Sequence, residues 1–435
     1  MLFKDISIID HRGITHDNMY LGTASDKIIW LEKFSPPSEL LSSVDAEIYE
    51  GRDKVLLPGL YNMHSHVPMT LLRGYGEGLP LKRWLQEKIF PFEALLDAND
   101  MYWGTLLGVY EMLASGVVSF SDMYMRLEGI FRAVLETGIK ANITNAFIGN
   151  EDTDIFHDRS FAEVTELMHN CLSTEGRIIA EAGIHAEYSC DERVIRDIVD
   201  WAKDEDLNLQ VHLSETRAEH EECKGRHQNL TPAAYLNSLD FFDQPTVAAH
   251  CVYLEDSDLD ILHDKEVTIC HCPSSNLKLG SGIAPLAKFM QRDIAVTIGT
   301  DGASSNNNLN MLEEISLAAL LAKGVNQDPS LMKTEDILPI VTANGAKAQG
   351  RKNCGKLEVG AQADLFIMDL QKAHMRPVYD LPANIFFSGQ SADVVLTMVD
   401  GKVVYRDGIA PGIDLERVFF EVDRIKEEKL HKLSS

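Results

Sequence analysis

No stretch of this sequence approaches the ~18 consecutive apolar residues that a membrane-crossing helix requires, so an integral membrane protein is not expected. Cysteine is scarce as well, seven residues in all, an odd number scattered along a chain of 435. A chain of this length buries enough core to need no disulfide staples, and reduced thiols in a cytoplasm are the simpler expectation. Low-complexity tracts and repeats of fixed period are missing. The start, Met1-Leu2-Phe3-Lys4-Asp5, meets an acid early and does not resemble a secretory leader. Basic side chains are outnumbered, 40 against 67 acidic ones, for a formal net charge of -27. Such a field repels phosphate backbones and anionic lipid, so neither nucleic acid nor a membrane surface is an expected partner. A small-molecule ligand is the expectation that remains, and an assembly of several copies of the chain stays open.

What the chain does have is alternation. Eight short runs rich in Val, Ile, Leu and Ala recur at 55–64, 117–123, 140–146, 178–186, 208–214, 246–251, 267–272 and 295–301. Bodies of this composition suit strands buried on both faces of a parallel sheet. The stretches between them are amphipathic. After the fourth run Ser189 and Glu192 have capping-box spacing, and Val194, Ile195, Ile198, Val199 and Ala202 follow a helical stripe. Strand and helix alternating eight times predict an α/β fold, a closed (β/α)8 barrel of the TIM type over 58–352. The flanks, 1–57 and 353–435, read differently: 5–10, 27–32, 364–368 and 394–399 are strand-like, and 401–405 follows an Asp400-Gly401 turn. The two termini are expected to meet in one small β-sandwich domain, with 415–433 as a charged terminal helix.

The ends of the eight runs carry the chemistry. In order they are His64 with His66, Asp122, Asn145, His185, His212, His250, His271 and Asp301. In a barrel these ends share one face, the face that carries active sites. His64 and His66 are two residues apart, so in an extended strand both imidazoles point to the same side. His212 and Asp301, at the ends of the fifth and eighth runs, complete a set of three imidazoles and one carboxylate. That donor set suits one divalent metal, zinc first and ferrous iron second. Cys270-His271-Cys272 is set aside, because alternate residues of a strand face opposite ways and no second cysteine pair accompanies it.

In order and spacing, Pro58-Gly59-Leu60-x-Asn62-x-His64-x-His66, Val211-His212-Leu213-Ser214-Glu215-Thr216, Ala249-His250-Cys251 and Gly299-Thr300-Asp301-Gly302 resemble the amidohydrolase superfamily. The segments 273–280 and 301–307 narrow the resemblance to the 5′-methylthioadenosine/S-adenosylhomocysteine deaminase-like branch, with guanine deaminases and s-triazine hydrolases as cousins. It covers nearly the whole chain, including Gly355-Lys356-Leu357-Glu358-x-Gly360-x-x-Ala363-Asp364-Leu365. No lysine ends the fourth run, where binuclear branches place a bridging carboxylated lysine; His185 stands there, so one metal is implied.

The resemblance implies a hydrolytic deaminase of an adenosine-like nucleoside, with Glu215 as the proton shuttle three residues after His212. Asp301 is then a ligand that also accepts the proton of the attacking water, and His250 orients that water or stabilises developing charge. Read without the resemblance, Glu215 is a first-turn acid favoured by a helix dipole. Glu93 is implied to bind the ribose hydroxyls, Trp84 to pack near the purine or its tail, His185 to hydrogen-bond the nucleoside and Ser305 to lie near the base. A plain core role for Trp84 stays open. The family often has an arginine where this chain has Asn145 and a proline where it has Glu187, and Arg159 corresponds only loosely to a second arginine. Those arginines hold a homocysteine carboxylate, so an adenosine-like nucleoside is better supported than any particular tail. A hydrolase of another amino-heterocycle of guanine, s-triazine or pterin type shares the chemistry but has no use for Glu93. A non-catalytic scaffold is disfavoured by the complete ligand set.

Overall fold

A computed structural model describes residues 1–37 and 47–434, so positions 38–46 and Ser435 of the flanking segments lie outside the described residues. Two five-stranded sheets, parallel throughout, form the middle of the chain. One runs Asp301–Gly302, Leu60–His66, Val117–Tyr124, Lys140–Asn145, Ile178–Ala180; the other runs Ala182–Ala186, Leu209–Leu213, Thr246–His250, Thr268–His271, Val296–Ile298. Their ends meet twice. The fourth run is interrupted at Glu181 and the eighth at Gly299-Thr300, so each run gives one piece to each sheet. The strands are buried on both faces, which is why they read in sequence as continuous apolar runs.

The run at 55–64 proves to be two strands. Lys54–Pro58 joins a different sheet, and only Leu60–His66 belongs to the parallel set, with Gly59 between them. The helix after the fourth run spans Glu192–Asp204, and its buried face is Val194, Ile195, Ile198, Val199 and Ala202 together with Trp201. Its N-cap is Asp191, not Ser189. Ser189 instead bonds locally, accepting the Ala186 amide at 3.1 Å and donating to the Ala186 carbonyl at 2.9 Å.

The flanks form one mixed eight-stranded sheet, drawn from Leu2–Ile9, Thr15–Ala24, Lys27–Glu32, Ile48–Glu50 and Lys54–Pro58 on one side and Leu365–Asp369, Val394–Val399 and Lys402–Arg406 on the other. Alternation along its strands divides two cores. Val55, Leu57, Phe366 and Met368 pack into the large core of the parallel sheets, while Leu56, Leu365 and Ile367 close a smaller one with Phe3, Ile6 and Leu21. The turn at Asp400-Gly401 takes left-handed backbone at both residues, φ 48° and 72°. The terminal helix spans Leu415–Ser434. No helix among the described residues is long and apolar enough to cross a membrane.

Candidate active site

Register sets the site. In the parallel ladders His212 lies level with Ala186 and Ala249, His250 with Leu213, and Asp301 with Ser65. The polar ends of strands far apart in sequence therefore reach one level. Asn62 holds the first and eighth runs together: its amide donates to Thr300 Oγ1 at 2.7 Å and its carbonyl accepts the Thr300 amide at 3.0 Å. Behind His64 the contact is so close that a Cβ on Gly299 would come within 2.7 Å of the His64 backbone. His250 and Asp301 themselves adopt left-handed backbone, φ 71° and 59°. Non-glycine residues hold such conformations at a cost of about 1–3 kcal/mol each, a pattern concentrated at functional sites.

The imidazoles converge through their Nε2 atoms. His66 and His212 each spend Nδ1 on a backbone carbonyl, of Met123 and His185 respectively, at 2.6 Å. Their Nε2 atoms face one another at 3.3 Å. His64 Nε2 is buried without a hydrogen-bond partner. Asp301 Oδ1 stands 3.2 Å from His66 Nε2 and 3.7 Å from His64 Nε2. The candidate ligand atoms of His64, His66 and His212 lie within 4.8 Å of one another, and so do those of His64, His250 and Asp301. Inward-facing nitrogens whose opposite ring atoms are tied to carbonyls, with one left orphaned, are the arrangement of a metal site with its supporting hydrogen bonds in place. Cys270 and Cys272 belong to no such cluster among the described residues.

Electrostatics follow from burial and crowding. Burial, with the charge of His66 next, takes His64 well below the usual histidine range. His212 is likewise well below it, from burial and then the neighbouring His64. For His66 burial acts downward, but the hydrogen bond and charge of Asp301 outweigh it and bring the ring up to about 9. Burial acts upward on Asp301, yet the His66 hydrogen bond and the surrounding imidazoles hold its carboxyl well below the carboxylate range. His185 is down to about 4 through burial and the charges of His66 and His250.

Each carboxylate has one oxygen fixed and one directed inward. Asp301 Oδ2 accepts the hydroxyls of Ser275 at 2.5 Å and Ser305 at 2.8 Å. Glu215 Oε1 accepts Ser281 Oγ at 2.8 Å, while Oε2 lies 3.9 Å from His250 Nε2. His250 Nδ1 is paired with Asn276 Oδ1 at 2.9 Å. Ser275, Asn276 and Ser281 were not legible as site residues: they follow the seventh run on a short helix and loop, where spacing gives no direction.

A cleft opens above this cluster. His66, Trp84, Glu93, His185, His212, Glu215, His250, Asp301 and Ser305 all line it; His64 lies beneath, buried. Trp84 and Glu93 come from 81–93, a stretch carrying a π-helical turn at Leu85–Ile89, an irregularity that no sequence period announces. Glu93 is 4% exposed, its Oε1 accepts Tyr124 Oη at 2.5 Å, and burial raises its carboxyl. Trp84 is buried yet borders the cleft, its Nε1 donating to the Tyr75 carbonyl at 3.3 Å. Asn145 also lines the cleft, but Arg159 does not; it pairs with Glu163 at 2.8 Å and is 71% exposed. Glu187 turns away, binding Arg226 at 2.8 Å and His227 at 3.0 Å. Asp122 serves the backbone, accepting the Val67 amide at 2.7 Å, and burial raises its carboxyl to about 6.

Parallel sheets with this histidine and aspartate cluster at their C-terminal edge define a class: the chain belongs to the amidohydrolase family, which matches residues 55–404. Among relatives, it is 38% identical over 434 residues to a 5-methylthioadenosine/S-adenosylhomocysteine deaminase of Moorella thermoacetica, covering 99% of each chain. A crystal structure of an adenosine deaminase from Xanthomonas campestris with bound zinc superposes at a TM-score of 0.91 and 26% identity, over 99% of this chain and 98% of that one. An atrazine chlorohydrolase from Arthrobacter aurescens TC1 complexed with zinc shares the fold at a TM-score of 0.87 and 20% identity, over 98% of this chain and 99% of that one.

Proposed function

We propose that this protein is a metal-dependent aminohydrolase that releases ammonia from the aminopurine of an adenosine-like nucleoside. The observation that carries the reading is the convergence of His64, His66, His212, His250 and Asp301 beside Glu215, in one cleft with the buried carboxylate of Glu93. The names of the Moorella and Xanthomonas proteins support it. We further propose that the two parallel sheets are one closed (β/α)8 barrel of the TIM type, formed by 58–352, with 1–57 and 353–435 as a small β-domain. The two interrupted strands shared between the sheets support that reading.

His64, His66, His212 and Asp301 would hold one divalent metal, zinc by the chemistry of the donors. Such a cation supplies Lewis acidity and draws a coordinated water toward ionisation near neutral pH. The protein's own residues do the rest. Glu215, through Oε2, carries protons from water to the ring nitrogen beside the amino-bearing carbon, and onward to the departing ammonia. His250, held by Asn276, stabilises charge developing on the attacking oxygen. Asp301, its Oδ2 engaged by two serines, keeps Oδ1 for the metal and the water proton. One water is consumed, one ammonia leaves, and the ring carbon becomes a carbonyl.

Glu93 keeps one oxygen for the ribose diol, the other being occupied by Tyr124, and His185 and Trp84 border the rest of the nucleoside. No lysine or arginine is among the described residues that line the cleft. An uncharged 5′ tail is therefore favoured over a zwitterionic one. Ammonia release from adenosine, 5′-methylthioadenosine, S-adenosylhomocysteine, free adenine and amino-triazines tests the reading. The ribosides should exceed adenine, and 5′-methylthioadenosine should at least match S-adenosylhomocysteine. Activity confined to free bases or triazines would overturn it.

A further inference from the structure

We propose that Glu219 is a positioning residue that fixes Glu215 for proton transfer by clamping the backbone of its loop, with Ser281 fixing the carboxylate itself. The inference rests on the role given to Glu215 above. Glu219 lies in the first turn of the helix Arg217–Arg226 and is buried. Its Oε1 accepts the amide of Ser214 at 2.9 Å; its Oε2 accepts the amides of Glu215 at 2.8 Å and Thr216 at 3.3 Å. Thr216 Oγ1 in turn accepts the Glu219 amide at 3.1 Å, which closes a capping box.

A capping box asks only that the acid accept the N-cap amide, here that of Thr216. The amides of Ser214 and Glu215 are additional, and they belong to the loop rather than the helix. No lysine or arginine pairs with Glu219 among the described residues. Burial, and then the charge of Glu215, push its carboxyl up to about 8. A buried acid with no cation beside it is a costly way to cap a helix that a serine or threonine caps alone. The arrangement makes sense as a clamp on three consecutive amides.

The loop is held from its other side as well. Ser214 takes left-handed backbone, φ 48°, and its carbonyl accepts the amides of Val252 and Tyr253 at 3.1 and 3.0 Å. That ties the Glu215 loop to the segment leaving His250, the residue Glu215 must face. Ser281, buried, then occupies Glu215 Oε1 at 2.8 Å, so Oε2 is the oxygen left to exchange protons. Backbone and side chain of Glu215 are fixed by separate groups, and neither group reaches the reacting atoms.

The test combines turnover of 5′-methylthioadenosine, normalised to bound metal, with amide hydrogen exchange over 213–217 in metal-free protein. Wild type is measured first, with adenosine and S-adenosylhomocysteine beside 5′-methylthioadenosine: absence of ammonia release from all three overturns the function above, while exchange still decides the clamp. In Glu219→Gln the amides of Ser214, Glu215 and Thr216 should exchange faster. Its kcat should fall by about 10–100-fold, as misplacement of a reacting group by about an ångström does, with KM and metal content near wild type. Glu219→Asp should recover part of the loss. Ser281→Ala should lower kcat about tenfold and leave the exchange unchanged. A metal-loaded Glu219→Gln within about twofold of wild-type kcat, or a loss tracking metal content alone, overturns the proposal. Should Glu219→Gln fail to fold, unprotected amides in wild type or full turnover in Ser281→Ala overturn it equally.

Discussion

Two buried polar clusters occupy the same parallel strands, and they differ in what their atoms have left to do. On the fifth strand Gln210 and His212 are two residues apart and face the same side. Gln210 belongs to the lower cluster, where Glu181 Oε1 accepts Asn142 at 2.6 Å and Asn208 at 3.2 Å, and Oε2 accepts Gln210 at 2.5 Å. Arg351 donates there to Gln349 at 2.9 Å, to Asn142 at 2.8 Å and to the carbonyls of Gly176 and Arg177 at 2.8 and 3.1 Å. Every charged group in it is partnered; among the described residues, Gln210 Oε1 is the one buried atom of Glu181 and its three amide partners left without a partner. His212 belongs to the upper cluster, where His64 Nε2 has no partner and imidazole nitrogens face one another. Burial of polar groups is common to both. Converging lone pairs distinguish a site that binds from a site that braces.

The comparison breaks most sharply if the upper cluster is emptied of metal. Chelation should abolish deamination, and zinc should restore it; Asp301→Asn and His212→Ala should bind less than one equivalent, as metal analysis would read. Removal of a ligand from a four-donor set removes both site and nucleophile, so the loss should reach background. Full turnover by a verified metal-free preparation would reduce the upper cluster to a second brace.

Next in size is Glu215→Gln. The change touches no proposed ligand, so metal content should stay at wild type while kcat falls by about 10²–10⁴-fold, the usual contribution of a general acid–base group. Near-normal turnover would return Glu215 to the role of a helix-start acid.

How far this contrast was legible in the sequence depends on the residue. His64, His66, His212, His250 and Asp301 stand at the ends of strands buried on both faces, and such strands announce themselves as apolar runs whose last residues are polar. The strands at 27–32 and 394–399 were legible for the same reason, as short strand-like pieces between polar turns, and both belong to the sheet of the flanks. Gly59 was not legible as a boundary, because 55–64 is one apolar run and only tertiary packing assigns its halves to different sheets. Ser189 carried the right spacing for a cap, but the backbone turned two residues later and Asp191 took the position. Ser275, Ser281 and Glu219 act from loops and helix starts, where direction is set by packing alone.

A smaller effect concerns Glu93, which lines the same cleft and reaches the imidazoles only through Tyr124 and the charge of His66. Glu93→Ala should reduce catalytic efficiency on the riboside by about 10–100-fold, the worth of one to two charge-assisted hydrogen bonds. Efficiency on the 2′-deoxyriboside should change less, so the ratio of the two narrows. An unchanged ratio would detach Glu93 from the ribose and leave it a buried partner of Tyr124.

The smallest kinetic effect should come from the lower cluster, and it is the one that tests the contrast from the other side. Glu181→Ala strands the side-chain amide of Gln210 and leaves those of Asn142 and Asn208 only their longer bonds to the carbonyls of Gln349 and Ala348, at 3.2 and 3.3 Å. A buried donor left unpaired costs about 1–3 kcal/mol, so the variant should be less stable by at least that amount and melt earlier. The fourth strand is interrupted at Glu181, so the loss should also loosen the junction between the two parallel sheets. His185 and His212 nevertheless keep their backbone and ring contacts, since none of their partners belongs to the lower cluster. Turnover of the folded fraction should therefore stay within about twofold of wild type, with metal content unchanged. Thermal unfolding followed alongside kcat measured well below the new transition separates the two effects. A variant that folds normally yet loses turnover or metal would mean that the brace beneath the histidines tunes them, and the division between the two clusters would fall.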